Sequence, residues 1–200
     1  MADETSATAS LEALVARAGD HGKGLPPVEK WNPDFCGDLD MEIKRDGTWF
    51  YMGTPIGRKP LVRLFSTVLR KDEDGKTYLV TPVEKVGIRV EDAPFVAVEM
   101  DVAQAGKEGQ LLTFRTNVGD VVEAGPDHPI RFEKNGDDGE LKPYVLVRGR
   151  LEALLARPVM YELVAAGEEI EVDGKTMFAE RSGGAVFPIM EAARLRELSR

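Results

Sequence analysis

Apolar and polar residues alternate along much of the chain, which is the pattern of β-strands with one buried face. Residues 41–45 and 48–52 flank the dipeptide Asp46-Gly47, and this arrangement predicts a β-hairpin closed by a two-residue turn. Residues 53–57 break the second strand, and beyond them the apolar spacing becomes that of a helix. The positions on one helical face are Leu61, Leu64, Phe65, Val68 and Leu69.

Strand patterns continue after this helix in two series. The first series has predicted strands at residues 77–81, 86–90, 95–100 and 110–116. The second has strands at 130–134 and 143–147, a helix at 151–165, strands at 169–172 and 175–180, and a last helix at 190–198.

The order of elements predicts an internal duplication. IRFEKNG (residues 130–136) has the pattern of MEIKRDG (residues 41–47), and Arg148 follows the second motif at nearly the distance at which Arg58 follows the first. The alternative is chance similarity between two ordinary hairpin-plus-helix units. The predicted fold class is α+β, with two similar strand-turn-strand-helix-strand halves.

An N-terminal helix and two domain boundaries complete the predicted organisation. Ser10 can cap a short helix that Gly19 ends, and HGKGLPP (residues 21–27) has the composition of a linker. Glu91-Asp92-Ala93-Pro94 is the second boundary. The expected parts are residues 1–23 (tail and short helix), 24–90 (N-terminal α+β domain) and 91–200 (C-terminal domain).

Composition narrows the class of protein. The 200 residues carry a formal charge of -9, with 35 acidic and 26 basic side chains, which argues against a duplex nucleic-acid binder. The lone Cys36 excludes an internal disulfide framework, and a reducing cytoplasm is the expected compartment. No apolar run has the length of a membrane span, and no basic secretory signal opens the chain, so we expect a soluble, unexported protein.

The local charge of residues 48–71 is opposite to that of the chain. This stretch has no Asp or Glu, yet it contains Arg58, Lys59, Arg63, Arg70 and Lys71. Arg58 and Lys59 lie at the start of the predicted helix, where the helix dipole disfavours cations by some tenths of a kcal/mol each. Free backbone N-H groups at a helix start also attract anions. The pattern predicts an anion site, and the alternative is that these side chains reach solvent or pair with carboxylates.

Other motifs do not have the residue spacing of a known catalytic or metal-binding site. The two DGKT segments lack the earlier glycine of a phosphate loop, and we interpret them as β-turns. The cluster Asp34, Asp38 and Asp40 lacks the glutamate and glycine of a calcium loop, and no histidine pair has metal-ligand spacing, so no metal site is predicted. His128 beside Asp127 could transfer a proton or simply bond within a turn.

Several motifs resemble the bacterial domain of unknown function 1285 family. They are Trp31-Asn32-Pro33, Gly37-Asp38, DGTWFYMGTPIGR (46–58), TPVEK (81–85), RVEDAPF (89–95), Thr116-Asn117 and the DHP that begins at Asp127. The resemblance implies a duplicated core and a C-terminal half similar to pleckstrin-homology domains. It also implies a cleft between the halves that takes a nucleotide-type ligand, and a role in signal transduction.

Three functional hypotheses follow. The leading one is a non-enzymatic protein that binds a phosphorylated or nucleotide-like molecule between its halves and signals to a protein partner. The rivals are a protein-interaction module without a small ligand and a hydrolase that uses Asp127 and His128. In the leading hypothesis Arg58 and Lys59 contact the anion, Arg89 and Asn117 bond polar edges, and Trp49 or Tyr51 stacks. The full set of candidate ligand-binding residues is Arg58, Lys59, Trp49, Tyr51, Arg63, Arg89, Asn117, His128 and Arg148.

Overall fold

The computed structural model describes residues 24–134 and 141–198. The chain divides into two compact units, the first ending at Pro94 and including Gly149–Leu151, and the second formed by residues 95–148 and the remainder from Glu152. The helix predicted after Ser10 and the end of the IRFEKNG motif lie outside the described residues.

The first unit is built on one six-stranded sheet. Its elements are a 3-10 helix (Val28–Lys30), β1 (Phe35–Ile43), β2 (Trp49–Tyr51), β3 (Thr54–Pro55), α1 (Lys59–Thr67), β4 (Leu69–Lys71), β5 (Thr77–Val80) and β6 (Lys85–Val90). The strand order is β3-β2-β1-β6-β5-β4. β1 and β6 are parallel, whereas β1–β2, β2–β3, β4–β5 and β5–β6 are antiparallel.

Helix α1 packs on the sheet face that carries the alternating apolar residues. Ile43 pairs with both Trp49 and Val90, which places these three side chains on one face. The Phe65 ring of α1 stacks on Trp49 with 6.2 Å between ring centroids. Phe65 and Ile43 are fully buried. The predicted apolar stripe and the predicted hairpin therefore meet in one core, although Leu69, which the sequence assigned to the helix, belongs to β4 because α1 ends at Thr67.

The hairpin has a longer connection than the sequence predicted. The N-H groups of Gly47 and Lys44 donate to the Lys44 and Thr48 carbonyls, both at 2.9 Å, so Arg45 to Gly47 form a three-residue loop. Gly47 has a φ of +84°, which glycine adopts without steric cost. The Thr48 N-H donates to the Asp46 carboxylate and lowers the pKa of Asp46. The prediction of a two-residue turn was wrong by one residue because the aspartate organises the loop through this bond.

The second unit has two sheets. Its elements are β7 (Phe95–Ala103), β8 (Leu111–Thr116), β9 (Val121–Glu123), β10 (Ile130–Lys134), β11 (Leu141–Arg148), β12 (Leu151–Leu155), α2 (Arg157–Ala166), β13 (Glu168–Val172), β14 (Lys175–Ser182), β15 (Ala185–Glu191) and α3 (Ala192–Leu198). The larger sheet has the order β10-β11-β12-β7-β8-β9, and the smaller has the order β13-β14-β15. The described chain is thus mostly β-sheet with three α-helices.

The two six-stranded sheets have the same topology. In each, the first and last strands of six lie side by side at the centre and run parallel, β1 with β6 and β7 with β12. The two similar halves expected from the sequence are therefore present. Their correspondence differs from the predicted one, because β10 takes the place of β4 in this order, whereas the motif comparison had matched it to β1.

The helix predicted at residues 151–165 is wrong in its first part. Leu151–Leu155 forms β12, in which buried and half-buried residues alternate, and α2 begins only at Arg157. Helix propensity favours a Leu-Glu-Ala-Leu-Leu segment, but the parallel partner β7 imposes the strand. Arg148 consequently ends β11 and does not hold the position before a helix that Arg58 has in the first unit.

Buried polar contacts attach the smaller sheet to the larger one. The Ser182 hydroxyl accepts a hydrogen bond from the Leu112 N-H at 2.8 Å and donates to the Ala124 carbonyl at 2.7 Å. The next residue, Gly183, has a φ of +56°, and a Cβ there would lie 2.7 Å from the Ala124 carbonyl oxygen. This turn therefore requires a glycine for both its conformation and its close packing.

Glu180 is a buried acid on the same strand, β14. It is fully buried, and neither carboxylate oxygen has a hydrogen-bond partner among the described residues. Burial raises the pKa of Glu180 to about 8, and the nearby negative charge of Glu168 contributes in the same direction. The side chain is accordingly held as the neutral acid at neutral pH and below.

We predict that Gly183→Ala lowers the free energy of unfolding by about 2–4 kcal/mol, because it combines left-handed strain with a clash against backbone. Gly184→Ala is the matched control. Gly184 also has a positive φ, of +78°, but a Cβ there meets open space, so the loss should be about 1–2 kcal/mol. Urea unfolding measures both, and equal losses would contradict the packing argument.

Glu180 predicts a pH dependence of stability. Folding raises the pKa of Glu180, so the folded state binds its proton more tightly than the unfolded state does. The resulting contribution to the free energy of unfolding is complete below the unfolded pKa of about 4.3 and is lost as pH rises towards about 8. Over this window the stability of wild type should fall relative to that of Glu180→Gln by at most about 1.4 kcal/mol per pH unit. Glu171→Gln, an exposed substitution on β13, should leave the slope unchanged. Parallel curves for wild type and Glu180→Gln, measured by denaturant unfolding from pH 5 to 9, would contradict this assignment.

Candidate functional site

The residues that join β2 to α1 form an exposed surface on the first unit. In the segment Met52–Lys59, every residue is exposed except the half-buried Ile56. The Ile56 N-H donates to the Trp49 carbonyl at 2.7 Å and anchors the segment to the sheet. Beyond this anchor the chain presents Arg58 and Lys59 to solvent. We call these residues the 52–59 segment.

The 52–59 segment begins with a strained turn. Met52 and Gly53 have φ angles of +48° and +72°, and Tyr51 pairs with Thr54 across them. A left-handed conformation costs a residue with a side chain roughly 1–2 kcal/mol. The Met52 N-H donates to the Asp40 carbonyl at 2.9 Å, which holds the strained residue against β1. Strain of this kind is common at functional sites.

Arg58 and Lys59 carry unpaired positive charge. Arg58 is the N-cap of α1 and makes no side-chain capping bond, and the first turn of α1 has no acid. Within residues 24–134 and 141–198, Arg58 is the only arginine whose side chain has no ion pair, hydrogen bond or ring contact. Lys59 also has no partner there. The two neighbouring cations are therefore available to an anion.

The start of α1 offers fewer free backbone N-H groups to an anion than the sequence predicted. Pro60 has no N-H group, and the N-H groups of Leu61 and Val62 both bond the Arg58 carbonyl, at 2.9 and 3.2 Å. The expectation of several free amides at this helix start was wrong, because proline removes one donor and the tight first turn uses two more. Any anion here would be held mainly by the two side chains.

Of the two candidate stacking residues, only one remains accessible. Trp49 is 1% exposed and packs on Phe65, so it belongs to the core and cannot stack on a ligand in this conformation. This corrects the predicted role of Trp49. Tyr51 is half-buried, and its burial together with the charge of Asp40 raises its pKa.

Two further candidates in the first unit have partners. Arg89 pairs with Asp40 at 2.9 Å, and both side chains are exposed. Arg63 is an exposed residue of α1 that also interacts with another group of the protein, so it is not free. An exposed ion pair is worth only about 0–1 kcal/mol, so Arg89 could exchange Asp40 for another anion at little cost.

The candidates in the second unit have structural contacts. The Asn117 side-chain oxygen accepts a hydrogen bond from the Val96 N-H at 3.0 Å, and Nδ1 of His128 lies 2.9 Å from the Leu146 carbonyl oxygen. Arg148 bonds Asp120 at 2.6 Å and lies over the Phe95 ring, 4.9 Å from its centroid. Asn117 therefore bonds the start of β7, His128 approaches β11, and Arg148 joins the end of β11 to Asp120 and to β7. All three residues thus have a structural role within the second unit.

Arg70, which the sequence grouped with the basic stretch, also has a structural role. It is 7% exposed and donates to the carbonyls of Val28 and Trp31, at 2.9 and 2.7 Å, and to the Asp72 carboxylate at 2.6 Å. Asp72 bonds Lys85 as well, and these contacts with the two cations lower its pKa although its burial acts in the opposite direction. The depression of about 500 Å³ beside Arg70 is thus lined in part by charges that already compensate each other.

Neither a metal-binding cluster nor a membrane-spanning helix is present among the described residues. Residues 24–134 and 141–198 contain no group of three or more His, Cys, Asp or Glu side chains arranged to hold a metal ion. None of the helices in this part of the chain is long and apolar enough to cross a membrane.

Comparison with known proteins gives matches over nearly the whole described chain. The family model described as "Domain of unknown function (DUF1285), N-terminal domain" matches residues 26–93, and that described as "Protein of unknown function (DUF1285), C-terminal domain" matches residues 94–189. No curated protein matches.

Two solved structures are similar to this chain. A DUF1285 family protein from Silicibacter pomeroyi DSS-3 is 52% identical, with a TM-score of 0.81, over 92% of this chain and 97% of the relative. A DUF1285 family protein from Shewanella baltica OS155 is 28% identical, with a TM-score of 0.50, over 64% of this chain and 92% of the relative. Both family models and these relatives agree, and the chain belongs to the DUF1285 family.

Proposed function

We propose that this protein is a non-enzymatic binder of a small phosphorylated or nucleotide-like molecule, and that the 52–59 segment supplies the anion contacts. The observation that carries the proposal is the unpaired Arg58-Lys59 dipeptide on a chain of net charge -9. At least nine of the twelve other described arginines form an ion pair with an acid of the same unit. An uncompensated pair on an acidic protein is the arrangement expected where a negatively charged ligand provides the missing partner.

The chemistry of the two side chains favours phosphate. A guanidinium group can donate two parallel hydrogen bonds to phosphate oxygens, and a neighbouring ammonium adds a point charge. At an effective dielectric constant of 20, two unit charges at 4 Å interact by about 4 kcal/mol. A multiply charged phosphate therefore gains more than a carboxylate does. The exposed Met52 and the accessible ring of Tyr51 offer apolar contact area for the rest of such a ligand.

Binding is favoured over catalysis because the segment lacks a titratable base. Residues 48–71 contain no Asp, Glu or His. His128, the candidate acid or base of the hydrolase hypothesis, has its Nδ1 within hydrogen-bond distance of a backbone carbonyl. The proposal includes a signalling role and a pleckstrin-homology-like second unit, which rest on the family resemblance.

The proposal predicts that ADP and inorganic pyrophosphate bind to the wild-type protein and raise its melting temperature. Arg58→Ala/Lys59→Ala should weaken this binding at least tenfold, because charge-assisted hydrogen bonds contribute about 1.5–3 kcal/mol each. Binding should also weaken as salt rises from 50 to 500 mM, since exposed charges are screened. Isothermal titration calorimetry and thermal shift measure these effects.

Lys30→Ala/Lys107→Ala is the control, because it removes the same charge from two exposed lysines whose side chains have no partner among the described residues. It should bind the probes as wild type does. Arg58→Lys separates bidentate recognition from charge, and should bind pyrophosphate with intermediate affinity. If neither probe binds, or if the Arg58/Lys59 variant binds as tightly as wild type, the proposed site is wrong.

A further inference from the structure

The start of β1 contains a bulge that brings an aromatic ring and a carboxylate together. Phe35 pairs with Lys85, and Asp38 pairs with Gly87, so β1 makes three steps where β6 makes two. Gly37, inside this bulge, has a φ of +103°. In a regular strand, side chains three positions apart point to opposite faces of the sheet. Bulges re-aim side chains in this way, and they are over-represented beside functional sites.

The two side chains share the sheet face that is opposite to α1. Gly87 lies three residues before Val90, whose side chain is on the face that α1 covers, so Gly87 belongs to the other face. A Cβ at Gly87 would collide with the Asp38 carboxylate and would lie 3.8 Å from the Phe35 ring. Both side chains therefore lie over this glycine, which leaves room for the carboxylate beside the ring.

The ring belongs to an exposed apolar surface. Phe35 is 55% exposed although its ring packs edge-to-face on Tyr78, with 6.1 Å between the centroids. Val83 is 61% exposed and lies in the turn before β6. The Lys85 N-H donates to the Asp34 carbonyl at 3.2 Å, which places this turn beside the start of β1. Adjoining exposed apolar groups with polar surroundings are typical of interaction sites.

The Asp38 carboxylate is the uncompensated charge of this surface. Its side chain has no ion pair or hydrogen bond within residues 24–134 and 141–198. The two cations that flank Gly87 on the same face already have partners, because Lys85 bonds Asp72 at 3.2 Å and Arg89 bonds Asp40 at 2.9 Å. A cation from outside the chain would therefore be the partner of Asp38.

The electrostatic environment of Tyr78 also indicates negative potential here. The Tyr78 hydroxyl donates to the Asp74 carboxylate at 2.6 Å. This hydrogen bond raises the pKa of Tyr78 to about 12, with contributions from burial and from the charges of Asp74, Asp72 and Asp38. On a chain of net charge -9, this surface attracts a basic partner and repels an acidic one.

We propose that this surface docks a basic segment of a protein partner through an arginine side chain. The guanidinium group stacks on the Phe35 ring and donates hydrogen bonds to the Asp38 carboxylate, and an apolar neighbour of the arginine contacts Val83. Arginine fits better than lysine because its planar group both stacks on aromatic rings and bonds carboxylates in a bidentate manner. The surface shares no residue with the 52–59 segment, and the inference does not depend on the proposed phosphate contacts.

The test titrates the isotope-labelled full chain with short peptides and follows the backbone amide signals by NMR. The probe is acetyl-Gly-Leu-Arg-Leu-Gly-amide, and its matched counterpart has citrulline, which is uncharged and of nearly the same shape, in place of arginine. The arginine peptide should shift the signals of Phe35, Asp38 and Gly87, and the citrulline peptide should bind about tenfold more weakly. The absence of these shifts at millimolar arginine peptide, or equal binding of the citrulline peptide, would overturn the proposal.

Three variants locate the contact. Asp38→Asn and Phe35→Ala should each weaken binding of the arginine peptide about fivefold or more, because they remove the charge and the ring. Gly87→Ala keeps both groups but displaces the carboxylate, which is the flexible end of its side chain, so binding should weaken while the protein stays folded. Unchanged binding by Asp38→Asn and Phe35→Ala would show that the peptide binds elsewhere.

The controls remove the same kinds of group from other places. Asp101→Asn and Val121→Ala change an exposed acid and an exposed apolar side chain of the second unit, and both should bind the arginine peptide as wild type does. Arg58→Ala/Lys59→Ala should also bind it as wild type does, which separates this result from the phosphate test. Weakening by these controls equal to that by Asp38→Asn would contradict the proposed contact.

A second copy of this chain is the alternative occupant of the surface. Sedimentation velocity of wild type and of Phe35→Ala tests it. We expect the same sedimentation coefficient for both proteins. A wild-type dimer that Phe35→Ala dissociates would assign the surface to self-association and overturn the proposal.

Discussion

The parallel pairing of first and last strands is the constraint on which both six-stranded sheets depend. In each half the chain makes three strands outward, crosses over, and makes three strands back, so that β6 lies beside β1 and β12 beside β7. In these central strands the side chains of Met41, Ile43, Phe95 and Ala153 are fully buried. These contacts join residues far apart in sequence, and the antiparallel ladders on either side extend from them.

The two halves differ in what they add to this shared topology. The first adds α1 at the crossover between its third and fourth strands, and the exposed segment before α1 carries the unpaired Arg58 and Lys59. The second crosses between β9 and β10 through residues 124–129 without a helix, and afterwards adds a smaller sheet. The smaller sheet is attached to the larger one by the hydrogen bonds of the Ser182 hydroxyl to backbone groups and by the close packing of Gly183.

Charge is used in two ways along the chain. Buried or half-buried cations such as Arg70 and Arg148 bond carboxylates and carbonyls of their own unit, and they contribute to the fold. Arg58, Lys59, Lys71 and Lys76 have no such partners among the described residues, and all four lie in the first unit. Arg70 and Lys71 are neighbours in sequence, yet strand geometry sends their side chains to opposite faces of the sheet. Arg70 is consequently structural, whereas Lys71 lines a depression between the β4–β5 hairpin and the end of β6.

Some elements of this fold could be predicted from local sequence patterns, whereas others depend on tertiary contacts. Alternation and turn residues were enough to predict the β1–β2 hairpin, helix α1 and the strands β5 to β8, because their partners are near in sequence or their periodicity is strong. The unusual charge of residues 48–71 also pointed to Arg58 and Lys59 from sequence alone.

The sequence could not predict that Leu151–Leu155 forms a strand, since only the distant β7 makes it one. The motif comparison matched β10 to β1 and not to β4, because the long-range pairing that sets the strand order is not visible in the local pattern. The sequence also could not distinguish the buried Trp49 from the half-buried Tyr51. Periodicity reports which face of an element is buried, whereas strand order, which depends on long-range pairing, decides which faces meet.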